Sequence, residues 1–465
     1  MKRYFTKNHL LTFLYISLYL LIALSLLIKQ PIGTPPDETN RHLIPQYIAT
    51  HGTLPIGYEE EIRIYGYGFS YAFQPILPYM LQGYTMRLVS LFTDSETVLF
   101  YTGRVVNLIL GLFMAIVVLR LSKEWFRNRH FSWLFAFFVT FLPQSIFIHT
   151  YINTDSCCML SIAIMLLGLT YGCKDNFSRK SSLILSLGII LCALSYYNAY
   201  GYILSCILLF IANFGTFTNG KLHFRHREFL NKGIFISVIV LLCISWWFIR
   251  SAILFDGDFL GLETRNEFGM LYATPEYHPD TRVTWENQGY SLLDMMTQSD
   301  FFTVSVMSFI GVFGAMEITT SIWVYRFYKA LFFLGILLSV LPFGTRCTEQ
   351  GLYAERRGFK LFYHANMLFC ILMPLILSLT YSYTTDYQPQ GRYLLPSLIP
   401  LCYYTVRGIE KLFSLQLLKN ITKDRLLTPV AVSLVLIIIL SVLITVYGYA
   451  FPYYIAHPDP YYWPY

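Results

Sequence analysis

A chain of 465 residues, 55% of them hydrophobic and only 13% charged, is not a soluble globular domain, in which roughly a quarter of residues carry charge. Its mean hydropathy is +0.50, and its formal net charge is +7. That charge would suit a nucleic-acid binder, but the basic residues are distributed as a membrane-orientation signal, so nucleic acid is not expected as a partner. Nine cysteines, mostly inside apolar runs (Cys192, Cys206, Cys243, Cys370, Cys402), show neither disulfide nor zinc spacing and read as packing residues.

The N-terminal stretch Met1 to Lys7 is a positive flank before an apolar run from Leu10 to Ile28. A secretory leader begins in the same way. This run is long, however, and ends in Lys29-Gln30-Pro31 without a small-residue cleavage site, so it reads as a first membrane helix. Further apolar windows follow at about 99–121, 131–149, 156–172, 182–197, 200–214, 234–254, 323–343, 361–382, 391–409 and 428–450. Most approach the roughly 20 residues needed to cross a hydrocarbon layer. The expected fold class is all-α: a polytopic transmembrane helical bundle of about 11 spans (10–13), forming one membrane domain over residues 1–465.

Short cytoplasmic loops carry an excess of lysine and arginine. With the N-terminus inside, 23 of the 34 basic residues fall on inner segments, among them Lys2, Arg120, Arg179, Arg225, Arg346, Arg356 and Lys419. Of the 27 acids only seven do, including Glu124, Glu349 and Glu355. Both signs agree on one topology. It leaves two long segments outside, 31–98 and 255–322, rich in Tyr and Phe and broken by Gly and Pro. That composition suits interfacial helices rather than separate domains. No internal repeat is visible, which argues against a transporter built from inverted halves.

The first outer segment opens on Gly33-Thr-Pro-Pro-Asp37-Glu38-Thr-Asn-Arg-His42. Thr34 could cap a helix here with Asp37 in its first turn, which explains one acid. It leaves a second acid and a histidine unexplained. Asp37 and Glu38 are therefore candidate catalytic residues, acting as general base on a hydroxyl, with His42 in substrate contact. Glu38 and His42 at i and i+4 could also share a divalent metal with Asp37.

Three further constellations lie on the same side. Asn153-Thr-Asp155 occupies a short outer turn, where Asp155 is either a helix cap or a second acid facing a shared cavity. Trp246-Trp247-x-x-Arg250 lies near the outer end of its helix. Trp247 is either a headgroup-belt residue or a substrate contact, and Arg250 either snorkels or holds a phosphate. Gln390-Gly391-Arg392-Tyr393 enters a membrane helix from outside, where an arginine needs a partner; a phosphate or carboxylate on Arg392 is expected. Tyr196-Tyr197-Asn198 reads equally as belt or sugar-stacking surface, and Arg104 as paired to an acid or facing a cavity. Nucleotide-loop, HExxH and GxSxG patterns are absent from the sequence.

Pro36-Asp37-Glu38 directly after the first membrane helix resembles the first-loop acid motif of GT-C glycosyltransferases. These are polytopic enzymes that take sugars from polyprenyl-phosphate carriers, such as protein mannosyltransferases and lipid A aminoarabinose transferases. A closer similarity is to a family of bacterial membrane proteins of that clan whose reaction is not assigned. It is carried by Pro36-Asp-Glu-x3-His42, Gly52-x-Leu-Pro55, Asn153-x-Asp155, Trp246-Trp-x-x-Arg250 with Gly257-Asp258, Ser308-Phe-x3-Phe313-Gly314 and Gln390-Gly-Arg-Tyr-x-x-Pro396. The chain departs from that pattern at Val312, where an arginine is usual, and at Ser251, where asparagine is usual.

The resemblance implies an inverting transfer of a sugar from a polyprenyl-phosphate-linked donor to a glycan, lipid or protein acceptor at the outer face of a bacterial cell membrane. Asp37 would take the acceptor proton. Glu38, His42, Asn153 and Asp155 would orient it or hold a metal. Arg250 and Arg392 would neutralise the phosphate, with Trp247 and Tyr393 in substrate contact. No cofactor is required beyond that possible divalent cation. The rival readings are a transporter or flippase of lipid-linked sugars and a glycan polymerase or ligase. A transporter would be expected to carry acids deep in its spans, and this sequence has almost none there.

Overall fold

The computed structural model describes residues 2–218, 221–341, 357–413 and 423–460; of the residues counted above, Arg346, Glu349, Glu355, Arg356 and Lys419 fall outside them. Without water in the hydrocarbon, backbone groups must be satisfied within each segment, so long apolar runs become helices. In chain order these are α1 (Lys2–Lys29), α2 (Glu38–His51), α3 (Leu77–Val89), α4 (Glu96–Trp125), α5 (Arg129–Thr140), α6 (Pro143–Phe147), α7 (Asp155–Asp175) and α8 (Arg179–Ala193). They continue with α9 (Tyr200–Phe214), α10 (His226–Leu254), α11 (Leu262–Tyr272), α12 (Leu292–Gln298), α13 (Phe301–Gly311), α14 (Ile322–Val340), α15 (Arg357–Thr384), α16 (Leu398–Phe413) and a closing helix, Lys423–Leu443. Strand pairing among the described residues is confined to two small hairpins, Gly215–Thr218 with Lys221–Phe224 and Val312–Phe313 with Ile318–Thr319.

Eight of the described helices are long and apolar enough to cross a membrane. The expected spans at 131–149, 182–197 and 391–409 fall on shorter helices: α5 has 12 residues, α8 has 15 and α16 has 16. The 131–149 window is two helices, because Pro143 starts α6 afresh. α7 runs through the middle of the bundle with nearly every residue buried. Gly168 on α7 lets the two backbones close up, since a Cβ there would meet the backbone of Leu185 on α8. α10 is the opposite case, a peripheral helix with few buried residues.

The turn between α6 and α7 is irregular backbone deep in protein, so its polar groups need side-chain partners. Gln30 Nε2 donates to Thr150 O at 2.9 Å, and Asn107 Nδ2 to Tyr151 O at 2.5 Å and Asn153 O at 3.2 Å. The join between α1 and α2 is tied down more strongly. Glu38, fully buried, takes two bonds from Arg104 of α4, Nε to Oε1 at 2.8 Å and Nη2 to Oε2 at 2.6 Å. It also accepts the amides of Gly33 and Ile152, each at 3.1 Å. Arg104 spends its remaining donors on the carbonyls of Leu27, Gln30 and Pro31 at the end of α1. One ion pair therefore binds α1, α2, α4 and the α6–α7 turn together.

Removing one member leaves the other charged and buried. Arg104→Met is expected to destabilise the protein by about 3–5 kcal/mol, read from thermal or denaturant unfolding in detergent. Pairing it with Glu38→Leu should recover part of that loss.

Candidate functional site

The two long segments and residues 384–393 meet over one end of the bundle. Thr274 N–H donates to Gly66 O at 2.9 Å, Glu286 N–H to Tyr383 O at 3.3 Å and Tyr67 Oη to Asp386 Oδ2 at 3.3 Å. Beneath them lies a cavity of about 470 Å³. Its wall carries Asp37, Asn40, Arg41, Tyr67, Phe69, Tyr71, Tyr79, Tyr196, Tyr197, Asn198, Arg265, Tyr381, Gln388 and Tyr393. Aromatic faces with a few amide, hydroxyl and charged groups make a site for a ligand that is part apolar face, part hydroxyl.

Asp37 is the acid of this wall. It precedes the first residue of α2 with φ 60° and ψ 11°, in the left-handed region, and its side chain makes no capping bond. The carboxylate is thus free of the helix and is 35% exposed to the cavity. Its Oδ2 accepts a short bond from Arg392 Nη2 and lies 3.9 Å from Arg41 Nη2. Burial pushes the carboxyl up, but the Arg392 and Arg41 guanidiniums outweigh it and hold it below the ordinary carboxylate value. Asp37 is therefore ionised at neutral pH.

The two arginines differ. Arg392 is buried behind the wall, its Nη1 on Pro36 O at 3.3 Å and its Nη2 also on Tyr393 Oη at 3.2 Å. Its position comes from Gly391, whose N–H donates to Ser308 Oγ at 2.6 Å. A Cβ at Gly391 would collide with the backbone of Phe309. Arg41 lines the cavity, with Nη1 on Thr154 Oγ1 at 3.2 Å, its face against Tyr71 and its Nε without a hydrogen-bond partner. Arg265 lines the opposite part, stacked 4.1 Å above Phe69.

A family model of predicted membrane proteins, DUF2142, matches residues 33–401. The chain belongs to that family. No curated protein matches it in sequence. Among solved structures this DUF2142 chain is similar to ArnT from Cupriavidus metallidurans bound to undecaprenyl phosphate: 10% identity, TM-score 0.56, 96% of this chain and 78% of that one. It is also similar to the apo oligosaccharyltransferase of Archaeoglobus fulgidus at 15% identity and TM-score 0.51, over 95% of this chain. The DUF2142 chain spans 56% of that enzyme's length. At such identities the likeness is one of fold: the bundle is that of the GT-C glycosyltransferases, and the protein is membrane-embedded.

Of the residues singled out in the sequence, the DUF2142 structure brings Asp37, Arg392 and Tyr393 together at this cavity. Tyr393 Oη also donates to Gln388 Oε1 at 2.7 Å. Asp155 sits just behind Thr154 of the wall, buried, with Oδ2 lacking a hydrogen-bond partner and its charge felt by Arg41 and Arg392. Thr154 is the N-cap residue of α7 and makes no side-chain capping bond; Asn153 Oδ1 accepts Ser156 N–H at 3.0 Å while its Nδ2 donates to Ile148 O and Tyr151 O. With its amide bonded to these backbone groups, Asn153 does not line the cavity.

Five other expectations are corrected. Glu38 is locked under Arg104 with no exposure, so of the two adjacent acids only Asp37 reaches the cavity. His42 turns away to pack on Phe100, ring centroids 4.4 Å apart. Burial, with Arg104 beside it, pushes the imidazole down to about 3. Asp37, Glu38 and His42 do not converge as a metal-ligand set, and among the described residues no three His, Cys, Asp or Glu side chains could hold a metal ion together. Trp247 is buried in a satellite core with Ile44, Ile48 and Tyr79 rather than placed in a belt or on the wall. Arg250 donates Nη2 to Pro55 O at 2.7 Å and does not line the cavity.

Sequence reasoning missed Arg41 and Arg265. Arg41 had a signal, since it stands four residues after Asp37 and so falls on the same helix face. Arg265 had none, because only the fold of the second long segment brings it to the wall. Gly391→Ala is expected to cost about 1–3 kcal/mol through overpacking and to pull Arg392 off Asp37. The first effect is read from thermal unfolding, the second from a structure of the variant.

Proposed function

We propose that this protein is a glycosyltransferase that moves a sugar from a polyprenyl-phosphate carrier to a hydroxyl acceptor at the outer face of the cell membrane. The observation that carries the reading is the single partly exposed carboxylate of Asp37. It faces an aromatic, hydroxyl-lined cavity and is flanked by two guanidiniums, in a bundle of GT-C fold. The lysine and arginine placement supports an outer location for that end of the bundle. The similarity in fold to ArnT, determined with undecaprenyl phosphate, supports the carrier class.

In this reading the acceptor oxygen attacks the anomeric carbon of the bound sugar. The carbon–oxygen bond to the carrier phosphate breaks, so the configuration inverts. Asp37 takes the acceptor proton, and the phosphate leaves with the electron pair, its charge met by guanidinium groups. A carboxylate held low by two arginines is a weak base on its own. Arg41 is the looser partner, 3.9 Å away with its Nε unbonded. Displacement of Arg41 by the bound substrate releases part of that hold and raises the basicity of Asp37 toward the range in which general bases work. The tyrosines stack against sugar faces, and the covering segments keep water from the donor.

Two experiments test this. Purified protein given a labelled polyprenyl-phosphate sugar and membrane acceptors should transfer the label, and Asp37→Asn should lower the rate by about 10²–10⁴-fold. Full activity in Asp37→Asn ends the assignment, and movement of the donor across vesicles without its consumption supports a flippase instead. The substrate-free protein should also keep Asp37 ionised as pH falls toward 3.8, the unperturbed value. A depressed carboxyl protonates only below that point. The acid limb of kcat/KM, which reports the free enzyme, should therefore lie below it.

A further inference from the structure

The cavity has a second cation and an apolar approach that the proposed reaction leaves without a role. Arg265 lines the wall on α11, half-buried, and its guanidinium stacks on Phe69. Among the described residues it forms no ion pair or hydrogen bond, in contrast to Arg392, which is spent on Asp37, and Arg41, which is shared with Thr154. A guanidinium held by stacking keeps its donor edge free for a planar fork of oxygens, the geometry that suits phosphate.

A groove of about 310 Å³ runs along the peripheral helix α10, walled by Leu241, Ile244, Phe248, Ile249, Ala252 and Phe259. Apart from Ser245 its lining is apolar. One end of it lies close in the chain to the cavity wall. Phe259, of the groove, is next to Leu260, whose carbonyl accepts Tyr197 Oη of the cavity wall at 2.5 Å. Leu262, two residues on, lines the cavity itself. Phe259 and Leu262 are 54% and 44% exposed, an apolar path open to the surroundings between groove and cavity. Phe259 to Leu262 covers at most about 10 Å, and Leu262 to Arg265 rises about 4.5 Å along the helix.

We propose that this groove and Arg265 form the carrier subsite: the polyprenyl chain lies along α10, and its phosphate is held by Arg265 at the cavity mouth. The assignment rests on the reading of the protein as a polyprenyl-phosphate-dependent transferase and adds where the carrier sits. An apolar groove within about 15 Å along the chain of an unpaired cation suits an amphiphile with a long chain and an anionic head. An ordinary membrane lipid would fill the groove without needing Arg265.

The test is binding of undecaprenyl phosphate to the full chain in phosphatidylcholine nanodiscs, for the wild type, Arg265→Gln and Ala252→Trp, each first shown to unfold at the wild-type temperature. Both variants should weaken binding at least ten-fold, while inorganic phosphate should be sensitive to Arg265→Gln and indifferent to Ala252→Trp. Wild-type affinity in both variants overturns the subsite and leaves the transferase reading standing. Equal competition by phosphatidylglycerol overturns it too, showing a groove for bulk lipid. If the wild type does not bind undecaprenyl phosphate, the underlying reading falls with it. A variant that unfolds early is replaced by Arg265→Met or Ala252→Leu, with the same outcomes scored.

Discussion

The buried pair of Glu38 and Arg104 is the constraint on which the site depends. Two full charges away from water are tolerated only when every lone pair and proton finds a partner, and here they do. Arg104 spends its donors on Glu38 and on three carbonyls at the end of α1, and Glu38 accepts two backbone amides besides. The consequence is geometric rather than a large gain in stability. Four pieces of chain are fixed relative to one another, and the residue just before Glu38 is delivered to the cavity. The neighbouring carboxylates thus divide their labour through environment alone: one is enclosed and fully bonded, the other partly exposed and only partly neutralised.

That division was hidden in the sequence, where Asp37 and Glu38 are adjacent acids with equal claims. The broad architecture was legible because hydrophobic runs and charge asymmetry are written locally. The helical membrane bundle follows from such signals. What failed was much of what required knowing which way a side chain turns, although Arg392 does find the carboxylate partner expected for it. His42, Trp247 and Asn153 look like site residues by type and position, yet each is absorbed by packing or by backbone hydrogen bonds. Arg250 likewise ends on a backbone carbonyl. The residues that replace them at the wall come from segments more than 200 positions apart, Arg41 and Arg265, and no local pattern joins them.

The cavity also combines surfaces suited to a ligand of mixed character. Its tyrosines present apolar faces and hydroxyl tips in the same side chain. The guanidiniums are graded in commitment: Arg392 is tied to Asp37, Arg41 is shared and Arg265 is held only by stacking. A graded set lets an incoming anion re-pair charges without leaving any of them stranded.

The left-handed backbone at Asp37 carries one more consequence, for the choice between the two acidic amino acids. Aspartate and asparagine enter that region several-fold more readily than most residues, because their short side chains bond locally and relieve the crowding. Glutamate lacks that advantage and would carry its carboxylate one methylene further, past the reach of Arg392. Chain geometry here selects aspartate over glutamate before any reaction is considered. A homologue that keeps this join between its first two helices has little freedom to exchange one acid for the other.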